Sequence, residues 1–162
     1  MSFEDLVSLL EKALEMELQV EDSTCGFTVS GQEDGSNPVD IILTYTPEVG
    51  SVLLFADLGE VPPEGRELFY RTLLEGNNLF EGTGGATLSL DSETGHIRIQ
   101  KSEDLDILSN NVEARLERFV NAAIAWSKII IEYSGKDDTQ FEDSDAADAI
   151  PEQNSFGTFM QV

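Results

Sequence analysis

"LLEGNNLFEGTGGATLSLDSETGHIRIQ", residues 73–100, decides how this chain folds. It holds a Gly-rich run, the only histidine and several acids beside small residues, so it invites a phosphate or metal reading. A phosphate cradle needs a helix to follow its glycines, so that free amides meet the anion, and a Lys nearby. Here "GTGGA" is followed by a strand pattern and no Lys adjoins it. "LSL" and "IRI" alternate with period two, placing Leu88, Leu90, Ile97 and Ile99 toward a core and Ser89, His96, Arg98 and Gln100 toward water. "DSETG" supplies the turn between them, with Gly95 suited to a positive φ at a hairpin bulge. The stretch is the end of a helix, a linker and a hairpin.

Working outward, residues 3–18 predict a helix. Phe3, Leu6, Val7, Leu10, Ala13, Leu14 and Leu18 recur at helical spacing, and Ser2 with Asp5 has the form of a capping box. "CGFTVS" (25–30) alternates, with Cys25, Phe27 and Val29 on one face. "VDIILTY" (39–45) and "SVLLFADL" (51–58) predict two more strands, the second apolar on both faces and so suited to a central position. Pro62 and Pro63 open a second helix over 63–77. The longest helix is expected over 105–133, its stripe running from Leu105 to Ile130 with Trp126 on the margin. Glu113, Arg115, Glu117, Arg118 and Asn121 fall on its polar side, and Gly135 ends it.

At 162 residues with 40% apolar content, the chain supports one core and little more. A secretory leader and a membrane span are not expected, because the first residues lack a basic region and no 18-residue apolar run occurs. The single Cys25 fits a reducing cytoplasm. With 32 acids against 9 scattered bases, nucleic acid and anionic membrane surfaces are repelled. The acids either serve solubility alone or keep soluble a protein that holds something apolar; composition does not separate the two. A core domain over 1–134 is expected, followed by an acidic, disordered tail over 135–162. "GKDDTQFEDSDAADAIPEQ" carries seven acids and one Lys. Phe156, Phe159 and Met160 beyond it either dock as a short anchor or hang free, and hanging free is the expectation.

Catalytic constellations are missing. His96 reads as a solvated surface side chain, one His and one Cys make no metal site, and the acidic runs lack the register of a calcium loop. No enzyme activity, cofactor or metal is expected.

The apolar residues are more informative. Leu68, Phe69, Tyr70, Leu73 and Leu74 sweep roughly 240° of the second helix, with Leu79 and Phe80 directly after. A surface helix needs an apolar stripe little wider than about 100°. Either the helix is tucked between sheet and loop, or a second subunit covers its outer side. The first helix shows a milder surplus in Leu9 and Met16. If "CGFTVS" is a sheet edge beside it, the pair forms a shallow groove that an extended peptide could join as a strand; marginal core positions are the alternative.

The order helix, three strands, helix, hairpin, long helix resembles the class I type III secretion chaperones of the CesT/Tir chaperone family. The likeness is carried by Asn78, Leu79, Leu88, Leu90, Asp91 and Gly95, and by Leu116, Glu117, Phe119, Val120, Ala123 and Trp126 of "LERFVNAAIAWSKII". The resemblance implies an α+β homodimer in which the second helix and the following strand pair across the two-fold. It implies as partners a secreted effector, bound through its extended N-terminal segment, a second copy of the chain, and the export-apparatus ATPase. Leu9, Leu10, Ala13, Met16, Phe27 and Val29 are the expected effector-binding residues. Leu68, Phe69, Tyr70, Leu73, Leu74, Leu79 and Phe80 are the expected dimer residues. A regulator or adaptor of the same fold that binds apparatus proteins is the first alternative, and an acidic nucleic-acid mimic the second.

Overall fold

A computed structural model describes residues 1–30 and 37–135, so the loop 31–36 and the expected tail from 136 onward lie outside the described residues. The elements are α1 (Phe3–Leu14), β1 (Val20–Glu21), β2 (Thr24–Val29), β3 (Val39–Thr46), β4 (Ser51–Glu60), α2 (Arg66–Asn77) with a 3-10 turn (Asn78–Phe80), β5 (Thr87–Leu90), β6 (His96–Asp104), α3 (Leu105–Ser109) and α4 (Val112–Ser134). The fold is α+β. The expected three strands and the hairpin belong to one antiparallel sheet of order β1-β2-β3-β4-β6-β5, joined where β4 pairs with β6.

Alternation places the core. One row of directly opposed residues (Phe27, Ile41, Ala56, Ile99 and Leu88) crosses the sheet and is buried along its whole length. Leu116, Phe119, Ala123 and Trp126 of α4 and Leu6 and Leu10 of α1 belong to the same cluster. β4 is central, as its two apolar faces predict. On the other face of the sheet, Ile42 and Phe55 oppose one another half-buried, and Leu53 is half-buried beside them. Leu90, expected in the core, is 50% exposed because it closes the short edge strand.

Three helix boundaries differ from the sequence reading. α1 stops at Leu14 because Glu15 turns left-handed (φ 53°), and Leu18 folds back into the core with its N–H donating to the Glu11 carboxylate at 3.0 Å. α2 starts at Arg66 rather than in the Pro62–Pro63 turn, with Gly65 in the left-handed region before it. The long helix is two. Asp104 caps α3 by accepting from the N–H groups of Asp106 and Ile107, and Asn111, neither helical nor extended at φ −153° and ψ 55°, breaks the chain before α4.

α2 is fixed to α4 through a missing side chain. Trp126 is fully enclosed and its indole N–H donates to the Gly82 carbonyl at 2.8 Å. Its ring lies so close to Gly76 that a Cβ there would stand 2.3 Å from Trp126 Cζ2. Glycine is costly inside a helix, and here the close approach of the indole requires it. Asn121, on the polar side of the helical wheel, is also buried.

Candidate functional site

The broad apolar arc of α2 divides into two sides. Phe69 and Leu73 are buried, with Phe69 edge-on to Tyr133 at 5.2 Å. Thr72 Oγ1 shares a 2.8 Å hydrogen bond with the Tyr133 hydroxyl and also donates to the Leu68 carbonyl. Leu68 is half-buried. The outer side shows Tyr70, 38% exposed, and Leu74, 71% exposed, and the 3-10 turn adds Leu79 at 77% and Phe80 at 51%. Leu79 and Phe80 both have positive φ, 54° and 58°. A left-handed residue with a side chain costs about 1–2 kcal/mol. Two in succession, each holding a large apolar side chain in solvent, mark a segment shaped for something beyond its own fold.

The second expected surface lies at α1 and β2. Leu10 and Phe27 are buried in the core; Leu9 and Val29 pack half-buried against its rim, and Ala13 is half-buried. Met16 is 45% exposed past the end of α1. Leu10 and Phe27 thus belong to the one buried core and Leu9 and Val29 to its half-buried rim, while α1 itself packs mainly on α3 and α4 and Met16 lies past its end.

The backbone beside these side chains has a specific form. β1 was not legible in the sequence because it is two residues long and paired only with Thr24 and Cys25 through a turn at Asp22 and Ser23, both at positive φ. The Tyr45 N–H donates to the Ser23 carbonyl at 2.8 Å, so alternate β2 residues (Cys25, Phe27 and Val29) bond inward to β3. Gly26 and Thr28, both exposed, point their backbone groups outward; the Gly26 N–H faces the Gln19 carbonyl where β1 begins, and the Gly26 carbonyl and Thr28 lie past it. That is an open sheet edge. The half-buried Ile42, Leu53 and Phe55 are a third apolar area, signalled in the sequence by the two-faced runs "IIL" and "VLLF".

Titratable groups add no assembled chemistry. His96 Nδ1 lies 2.9 Å from the Asp57 carboxylate and Nε2 3.9 Å from Glu60, at the partly exposed end of β6. Burial, aided by Glu11, pushes the Cys25 thiol up to about 11, which makes it a poor nucleophile at neutral pH. Among the described residues no group of His, Cys, Asp and Glu could hold a metal ion, and no helix is long and apolar enough to cross a membrane. What the described surface offers is contact.

Solved structures share this fold. The chain of the ExsC–ExsE complex aligns with a TM-score of 0.54 at 20% identity, covering 78% of this chain and 96% of that one. The HopA1–SchA chaperone–effector complex aligns at 0.56 and 19%, covering 82% and 98%. The heterodimeric ExoU–SpcU complex from the type III secretion system of Pseudomonas aeruginosa aligns at 0.55 and 15%, covering 76% and 96%. No curated protein sequence matches the chain. The Tir chaperone protein (CesT) family matches residues 5–127, which take in almost every element from α1 into α4. The chain belongs to the Tir chaperone protein (CesT) family.

Proposed function

We propose that the protein is a chaperone of type III secretion that binds the N-terminal segment of a secreted effector in the bacterial cytoplasm. It keeps that segment soluble and delivers it to the export apparatus, with the ATPase as the receiving partner. The family match over residues 5–127 carries this reading. Structures of similar fold solved as chaperone–effector complexes support it. The work is binding without catalysis. Ordering an extended client costs entropy, so affinity comes from wide contact rather than one deep pocket.

Two surfaces divide the work. Tyr70, Leu74, Leu79 and Phe80 meet their counterparts in a second copy, with Leu68 at the border and Phe69 and Leu73 supporting them from inside. The client lies along α1 and β2. Its backbone pairs with Gly26 and Thr28, and its apolar side chains rest on Leu9, Ala13, Val29 and Met16, over Leu10 and Phe27. The acidic exterior, −23 in formal charge, keeps a complex carrying apolar segments from aggregating.

Co-expression tests the proposal. An effector's N-terminal segment of roughly 50–100 residues, a length taken from the family resemblance, is expressed alone and together with this chain. The segment should precipitate alone and co-purify in soluble form with the chain, and its export should fail in a strain lacking the chain. Export and solubility that are indifferent to the chain would sink the proposal.

A further inference from the structure

The sheet has two outer edges, and the structure treats them differently. At β5 the Leu88 backbone points away from the sheet and is fully taken up by a side chain. Asn77 Nδ2 donates to the Leu88 carbonyl at 3.1 Å, and the Leu88 N–H donates to Asn77 Oδ1 at 2.8 Å. A side-chain amide has one acceptor and two donors, so it can reproduce the paired bonds that one strand offers another. Two residues earlier, the next outward position is closed in the same way. The Ala86 N–H donates to the Thr83 carbonyl at 3.1 Å, and the Ala86 carbonyl accepts from the Thr83 hydroxyl at 2.6 Å. Thr83 is wholly buried.

At the opposite edge, past the pairs of β1, the Gly26 carbonyl and both backbone groups of Thr28 point outward with no backbone partner among the described residues. An unpaired edge is a template for any strand that reaches it. A closed edge is not.

We infer that Asn77 and Thr83 are edge-closing residues that shut the outward backbone groups of Leu88 and Ala86. The one outward position of β5 beyond them, the exposed Leu90 at its end, is too short a template for a strand, which leaves β2 as the edge that an extended segment joins. The excluded segment is a client strand. This rests on the reading of β2 as the strand-accepting edge, and it assigns the partner's chemistry: a short extended peptide bonding at Gly26 and Thr28.

The test uses the full chain labelled with 15N and a synthetic eight-residue peptide of alternating Val and Thr carrying a terminal nitroxide. In the wild type, paramagnetic broadening should reach the Gly26 and Thr28 amides and leave Leu88 untouched. In Asn77→Ala, Leu88 should broaden as well, and its amide should exchange about tenfold faster, the loss of one hydrogen bond. Trp126 fluorescence should stay native. Thr83→Val, which keeps the side-chain shape and removes only the hydroxyl bond, frees the Ala86 carbonyl while its N–H stays on the Thr83 backbone carbonyl. Peptide broadening reaching Ala86 and Leu88 in this variant decides the matter if Asn77→Ala does not fold. Broadening at Leu88 in the wild type would overturn the inference, as would variants whose β5 amides neither broaden nor exchange faster. A peptide that touches neither edge of the wild type counts against strand addition at β2, while the Leu88 exchange rate still decides whether Asn77 closes β5.

Discussion

α1 and α2 are each 12 residues long, and they solve the same problem in opposite ways. α1 begins with a complete capping box, Ser2 and Asp5 each holding the other's backbone N–H, and buries Phe3, Leu6, Val7 and Leu10. None of its apolar residues is exposed. α2 begins at Gly65 with no side-chain cap and leaves Tyr70 and Leu74 in solvent, with Leu79 and Phe80 beyond them. The first helix is complete within one chain. The second is held by what packs on it, Trp126 on the inner side and, in our account, a second copy on the outer.

Gly76→Ala should have the largest effect, because the added Cβ meets backbone-anchored indole carbons at 2.3 and 2.6 Å. Overpacking of this kind costs about 3 kcal/mol, and urea unfolding followed by Trp126 fluorescence will read it. In an isolated helix the same change stabilises by about 1 kcal/mol, so the sign separates the clash from helix propensity. Stability equal to or above wild type would break the contrast between the helices.

Next comes the outer side of α2. Leu74→Asp combined with Leu79→Asp should raise the dimer dissociation constant by about a hundredfold or more, the scale of losing interface hot spots, while each chain stays folded. Light scattering across a dilution series checks this. An unchanged assembly would show that the exposed residues serve something else.

Much of this was legible in sequence, and the gaps have physical causes. Period-two alternation fixed the faces of Phe27, Ile41, Ala56 and Ile99, because along these strands one face is buried while the other is half-buried or exposed. The excess on α2 was visible as an arc too wide for one contact. The helix ends were less legible, since Glu15 adopts the left-handed conformation usually marked by glycine, to bring Leu18 home. Asn111 breaks a stripe whose periodicity continues across it. The α1–β2 surface was hardest to read. Periodicity places Leu10 and Phe27 on an apolar face but cannot tell a wholly buried residue from one at the rim such as Leu9. The edge-closing bonds of Asn77 and Thr83 are tertiary and leave no local pattern.

Leu9→Asp tests the weaker of the two surfaces. It should lower client affinity about tenfold, as expected for one rim contact within a wide interface, with dimer and fold retained; calorimetric titration with the client segment reads it. A chain that unfolds would place Leu9 in the core instead.

The smallest effect is expected at Asp91 in the β5–β6 turn. The Glu93 N–H donated to its carboxylate, with help from Thr94 and from Arg98 at 2.6 Å, holds this group below the usual carboxylate range. A carboxyl lowered in the folded state contributes stability that is present above its unfolded pKa. That contribution is lost as pH falls through the lower folded value. Thermal melts of wild type should therefore decline more steeply than those of Asp91→Asn below about pH 4, and parallel curves would contradict the assignment.

The most direct test of the central claim is to tag the chain in its native bacterium, purify it gently and digest the complex with protease. The account predicts one co-purifying protein that requires type III secretion for export, protected only along a stretch near its N-terminus. A folded partner that is never exported, or protection spread over a folded domain, would contradict it.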